Sequence, residues 1–239
     1  MTDRPFSILS TGSMVINESL TPTTGPDKSR VDVIPFIKIN LNTDEDTRGQ
    51  IQACARQELI AVFTSANAVK AVTAALQNRP DWKIYCVGSE TKKSVASFFG
   101  EPAILDYAGN AEGLSEKIIQ QRLLKEAVFF CGDQRRDLLP DKLRAHGIRL
   151  RELVVYQTKL TPMRVTKSYD AILFFSPTAV ESFFSLNTPS SKTILFALGE
   201  TTAASIRSAS DNEVRLCPKP DKRALLQMAV EYGQSHPIS

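Results

Sequence analysis

Histidine is scarce in this 239-residue chain, with His146 and His236 the only two, and neither G-x-G-x-x-G nor G-x-x-x-x-G-K-[ST] occurs. A serine or cysteine nucleophile activated by histidine is therefore not expected, nor a dinucleotide fingerprint or a P-loop. Cys54, Cys86, Cys131 and Cys217 stand far apart without a C-x-x-C pair, and no cluster has metal-ligand spacing. The chain opens without a basic-then-apolar signal segment, and no apolar run approaches the ~20 residues that a membrane span needs. Lys and Arg number 29 against 26 Asp and Glu, a formal net charge of +3 with no run of five like charges. That disfavours a protein tracking a nucleic-acid backbone, which concentrates positive charge in a patch or stripe. Together these absences predict a soluble, cytoplasmic protein with reduced, buried thiols, no metal, no nucleic acid and no membrane.

What is present is a repeat. FTSANAV at 63–69 matches FFSPTAV at 174–180, an offset of 174 − 63 = 111. The same offset sets Gly88 on Gly199, Thr91 on Thr202, Ser94 on Ser205, Ser97 on Ser208 and Leu114 on Leu225, without a gap over about fifty residues. Each copy reads strand, helix, strand, helix, strand, helix: apolar runs at 59–63 and 171–175, strands at 84–87 and 194–198 ending on a glycine, and helices from Glu90/Thr91 and from Thr201/Thr202. The last helix of each copy carries Leu114, Ile118 and Arg122, or Leu225, Ala229 and Gly233. Strands alternating with helices imply parallel sheets covered on both faces.

Two further strands complete the copies. Residues 127–131 break at Gly132, and the helix that follows has Pro140 in its first turn and Gly147 just past its end. Residues 6–10 supply the matching strand from the other end of the chain. Residues 11–30 are polar, and 46–56 read as a helix. The arrangement that accommodates this is an inserted domain, 36–159, within a discontinuous one, 1–35 and 160–239. Two extended crossings, VDVIPFIKI at 31–39 and LVVYQT at 153–158, then run side by side as a two-stranded β-ladder, with Pro35 marking an edge strand or connector.

In such sheets ligands bind beyond the carboxyl ends of the strands. The loops there are Thr64-Ser65, Gly88-Ser89-Glu90-Thr91 and Cys131-Gly132-Asp133, with Ser176-Pro177-Thr178, Gly199-Glu200-Thr201-Thr202 and Ser10-Thr11-Gly12 in the other copy. N-capping accounts for each loop taken singly. Together, six loops facing a cleft would offer hydroxyls and helix-terminal amides suited to carboxylates or phosphates. Arg135 and Arg136 strengthen this reading, because cations beside a helix N-terminus are placed against its dipole. An alternative is a hinged module of the same architecture that binds such an anion without turnover.

At CGDQRRDLLPDKL followed by VYQT, and at FTSANAV, VGSET, FFSPTAV and ALGETTA, the chain resembles the uroporphyrinogen-III synthase family. The resemblance implies two flavodoxin-like α/β domains and a cofactor-free lyase. It closes the linear tetrapyrrole hydroxymethylbilane into a ring with loss of water and inversion of the last pyrrole, through a spiro intermediate. It further implies a monomer, in transient contact with the preceding enzyme of its pathway. Carried over residue by residue, the family's cleft-lining Ser and Thr fall on Thr64, Ser65, Thr91, Ser176, Thr201 and Thr202; Ser89 and Gly132, in the same loops, are further candidates for binding substrate. Tyr156 falls on the tyrosine suspected of assisting loss of the substrate hydroxyl. Many members have Thr-Arg-Pro where this chain has Ser10-Thr11-Gly12-Ser13, and some carry an arginine where it has Asn67. Arg135 and Lys219 are the cations left to compensate.

Overall fold

The computed structural model describes residues 4–13, 29–121, 124–219 and 221–236. The polar segment 14–28 and Arg122, read above as helix, lie outside them. The chain divides into two compact units, Met1–Lys38 with Lys159–Ser239 and Ile39–Thr158.

In the inserted unit, β4 (Ile60–Phe63), β5 (Lys83–Val87), β6 (Ile104–Ala108), β7 (Glu126–Gly132) and β8 (Arg149–Leu160) form a parallel sheet in the order β6-β5-β4-β7-β8, with β3 (Ile37–Leu41) beyond β8. Burial on both faces follows from side-chain alternation in strands without a polar face. Phe63, Val128 and Phe130 point to one side, where they meet α1 (Glu45–Ala55), α2 (Ala66–Ala75) and α3 (Ser89–Phe99). Val62, Phe129 and Cys131 point to the other, where they meet α4 (Ala111–Gln120) and α5 (Leu138–Ala145). Trp82 and Phe130 stack at 5.3 Å and Phe130 and Phe63 at 5.2 Å. Each such pair adds roughly 0.5–1.5 kcal/mol beyond area burial, and this column fills the core on that face of the sheet.

The other unit repeats the plan. Its parallel sheet runs β11-β10-β9-β1-β2, from β1 (Phe6–Ser10), β2 (Ser29–Val33), β9 (Ala171–Phe174), β10 (Ile194–Ala197) and β11 (Val214–Leu216). One face carries α6 (Pro177–Phe184) and α7 (Glu200–Ala209), the other α8 (Lys222–Ser235). Where α8 crosses β1, Gly233 faces Phe6, and a Cβ on the glycine would stand 3.0 Å from the Phe6 Cβ and closer to its ring.

The offset of 111 now applies to whole elements: β4 starts at 60 and β9 at 171, α2 at 66 and α6 at 177, β5 at 83 and β10 at 194, α3 at 89 and α7 at 200, α4 at 111 and α8 at 222. In sheet order β7 stands beside β4 as β1 stands beside β9, so each copy is completed as the repeat requires. Helices α3 and α7 begin one or two residues before the positions read from sequence, because Gly88 and Gly199 are themselves the N-caps. Residues 31–39 form two strands rather than one: Pro35, which lacks a ladder donor, separates β2, at the edge of one sheet, from β3, at the edge of the other. Among the described residues no helix is long and apolar enough to cross a membrane.

Candidate functional site

Three strands of the inserted unit deliver polar groups at their carboxyl ends. After β4, Ser65 adopts extended backbone and its hydroxyl accepts the Asn67 N–H at 3.2 Å, capping α2. After β5, Gly88 turns at φ +74°, the left-handed region that a side chain disfavours, and leads into α3, where Thr91 is buried in the first turn. Ser89 opens that helix, and its side chain lies outside the described structure. After β7, Gly132 leads into Asp133.

The register between β7 and β8 shifts at this level: Cys131 pairs with Val154, yet Gly132 pairs with Tyr156. Val155 is thus the extra residue of a β-bulge, and such a bulge re-aims the following side chain. Val155 is fully buried, and Tyr156 packs against the same cluster instead of alternating away from it. Its ring lies against the Gly132 backbone: a Cβ on Gly132 would fall 2.7 Å from the Tyr156 hydroxyl oxygen and closer still to Cζ and Cε2. Asp133 fastens the loop to β8, its N–H donating to the Tyr156 carbonyl at 3.1 Å and its carboxylate accepting the Thr158 N–H at 2.9 Å.

Burial pushes the Tyr156 phenol above its ordinary value; a hydrogen bond from the Ser65 hydroxyl opposes this, and the charges of Cys131 and Asp133 add to the rise. The phenol is therefore neutral across the physiological range and able to donate a proton. Cys131, which precedes Gly132 on β7 and points to the other face of the sheet, is pushed up to about 11 by burial and is no nucleophile at neutral pH. The four cysteines are free and buried.

Arg135 is paired with both Glu152 and Asp137. Its hydrogen bond to Asp137, against some desolvation and with the help of Glu152, raises its pKa. The cation placed against the α5 dipole is thereby matched by two carboxylates, and Asp137 is the N-cap residue of that helix. A cavity of about 860 Å³ lies at the opposite, amino-terminal ends of the strands, lined by Ile60, Lys83, Val128 and Leu150 among others, away from Tyr156.

In the other unit Ser176 caps α6, its hydroxyl accepting the Ala179 N–H at 3.2 Å. Gly199 leads into α7 with extended backbone, φ −154°, unlike its counterpart Gly88. Thr201 is exposed and Thr202 buried in the first turn of α7. Lys219 is exposed and forms no ion pair with another described residue. The loop after β1 differs from expectation: Ser10 and Thr11 are fully buried, with Ser10 Oγ donating to the Gly12 carbonyl and Thr11 Oγ1 to that of Leu173 at 2.7 Å. The Thr11 hydroxyl ties the loop to β9 and the Ser10 hydroxyl closes the loop on itself, so neither lines a surface.

The inserted unit therefore gathers Thr64, Ser65, Thr91, Gly132 and Tyr156 at one end of its sheet, while Ser176, Thr201, Thr202 and Lys219 belong to the other unit. Asp133 as the clasp on β8 and Glu152 as the partner of Arg135 were not singled out from sequence. An acidic residue in a strand otherwise rich in cations was the one available signal for Glu152. Among the described residues no three His, Cys, Asp or Glu side chains are grouped to hold a metal ion.

A family model described as uroporphyrinogen-III synthase HemD matches residues 29–227. The uroporphyrinogen-III synthase of Saccharomyces cerevisiae is 28% identical over 186 residues, and the match spans 64% of this chain and 65% of that protein's length. The crystal structure of uroporphyrinogen-III synthetase from Helicobacter pylori superposes with a TM-score of 0.67 at 18% identity, over 95% of this chain and 99% of that one. A mutant uroporphyrinogen III synthase from the extremely thermophilic bacterium Thermus thermophilus gives 0.62 at 16% identity, over 97% and 100%. At these identities the structural likeness is one of fold.

Proposed function

The chain belongs to the uroporphyrinogen-III synthase family, and on that footing we propose that it converts hydroxymethylbilane to uroporphyrinogen III. The observation that carries the reading is a neutral phenol, Tyr156, seated at the carboxyl ends of β7 and β8 within hydrogen-bonding reach of Ser65.

The reaction needs two things from the protein. Expelling hydroxide from the bilane leaves a cation delocalised over an electron-rich pyrrole, and a nearby proton donor turns the leaving hydroxide into water. Tyr156 supplies that proton, and the proton later shed by the ring carbon restores the balance. The harder task is conformational: the terminal ring must be held so that its substituted carbon attacks, forming a spiro intermediate that fragments and recloses inverted. On this reading the α2 and α3 N-termini, with Thr64 and Ser65, take substrate carboxylates above the buried Thr91, and Ser176, Thr201 and Lys219 add the contacts of the second unit above the buried Thr202. The protein acts as a monomer on a small molecule.

Hydroxymethylbilane given to the purified protein is expected to yield the type III isomer, with Tyr156→Phe slower by about one to two decades, less than the 10²–10⁴ usual for general acid catalysis because the uncatalysed ionisation is already facile. Type I product at the uncatalysed rate would overturn the reading. Saturable binding with an unaltered isomer ratio would leave a binding module in its place.

A further inference from the structure

Gly132 is not a glycine for backbone reasons. Among the described residues the glycines with positive φ are Gly88, Gly100 and Gly147, so the conformation at Gly132 is open to any L-residue. What forbids a side chain is the ring of Tyr156, whose Cζ, Cε2 and hydroxyl oxygen all lie within 2.7 Å of the point a Cβ would occupy. No real Cβ tolerates such contacts without displacement, and the contact involves the ring edge and hydroxyl rather than a flexible chain end.

The seat is built from both strands. The bulge places Val155 and Tyr156 opposite one residue of β7, Val155 is locked in the core, and Asp133 holds β8 on the carboxyl side through the Tyr156 carbonyl and the Thr158 N–H. With its main chain clasped, the ring has little freedom to yield sideways, and Ser65 fixes the far end of the phenol. Gly12 under Phe175 and Gly233 under Phe6 show the same device used for packing alone. Tyr156 differs in ending in a hydroxyl at the carboxyl ends of the strands.

We propose that Gly132 is a positioning residue for Tyr156, acting through its missing side chain to set where the phenol stands rather than by contacting substrate itself. This rests on the reading of Tyr156 as the proton donor, but part of its test does not.

Four proteins decide the kinetic arm: wild type, Gly132→Ala, Tyr156→Phe and the double variant, assayed with hydroxymethylbilane for kcat, KM and isomer ratio. Gly132→Ala is expected to lower kcat by about one to two decades with KM within about threefold, and the double variant to be no more than about twofold slower than Tyr156→Phe. A Gly132→Ala enzyme with wild-type kcat, or losses that multiply in the double variant, would overturn the proposal. Thermal unfolding supplies the arm that needs no turnover: Gly132→Ala is expected to lower Tm by roughly 3–10 °C beside Tyr156 and to leave it unchanged in a Tyr156→Ala background. Equal losses in both backgrounds would remove the seat. Coupled Tm values with type I product alone would instead overturn the enzymatic reading and leave the seat standing.

Discussion

The Arg135 guanidinium is ion-paired with the carboxylate of Glu152, which also receives Arg144. Glu152 sits on β8, four residues before Tyr156, so the pair ties the start of α5 to the strand that carries the phenol. A carboxylate ligand could reach this cation only by displacing a partner that is already desolvated. Arg135→Ala is therefore expected to lower stability by about 1 kcal/mol and to leave KM within about threefold. Denaturant titration and steady-state kinetics check both. A tenfold rise in KM at unchanged stability would assign Arg135 to the substrate.

Gly88 and Gly199 occupy one position of the repeat but differ in backbone, φ +74° against −154°, and neither has an atom within 4 Å of a Cβ. Sterics are absent from both, so backbone strain alone distinguishes them. Gly88→Ala is expected to cost roughly 1–2 kcal/mol, whereas Gly199→Ala is expected to be neutral or stabilising by up to about 1 kcal/mol. Equal effects in thermal denaturation would contradict this.

Ser182, in α6, is fully buried, and its hydroxyl is the buried side-chain polar atom left without a partner among the described residues. The repeat places Ala71 at the same point of α2 (71 + 111 = 182), also buried. Ser182→Ala is thus expected to stabilise the protein by about 1 kcal/mol, the cost of an orphaned hydroxyl, and to raise Tm by roughly 2–4 °C. A lower Tm would mean that the hydroxyl has a partner in solution.

Asp170 receives both Arg4 nitrogens at 2.7 Å, and the Ser7 N–H and hydroxyl at 2.8 and 2.6 Å. Burial works to raise its pKa, but these donors outweigh it and the net shift is below 3.8. A carboxylate depressed in the folded state contributes stability that is present above its unfolded value and lost as pH falls through the folded one. Asp170→Asn is expected to lower stability at pH 7 by about 1–3 kcal/mol and to flatten the stability-versus-pH curve below about pH 4. An unchanged acid limb would show that other carboxylates govern it.

The parallel sheets and their repeat were legible because apolar runs at a constant offset survive as a pattern even where single residues change: Phe63 and Phe174, or Leu114 and Leu225, hold the same places in both cores. The bulge at Val155 was not. Strand periodicity says which residues form a strand but not that the partner strand skips one, so the seat of Tyr156 on Gly132 has no local signature. Arg135 read as an available cation because one of its two carboxylate partners is seventeen positions away (152 − 135) on the next strand. Gly88 and Gly199 looked equivalent since a glycine code says nothing of φ, and the hydroxyls of Ser10 and Thr11 looked available because burial is set by β9, which follows some 160 residues later.

The pairing of Ile8 with Ala171 also sets an order of events during synthesis. Strands β1 and β2 leave the ribosome before the inserted unit, yet their sheet cannot extend past β1 until β9 emerges, by which time the whole of Ile39–Thr158 has been made. The inserted unit has every strand it needs at that moment, so it can close its core while the flanking halves still wait for each other. A chaperone or protease that meets the nascent chain therefore meets a folded interior segment preceded by two parallel strands whose sheet is still incomplete, and the late pairing across some 160 residues is the slow, exposed step.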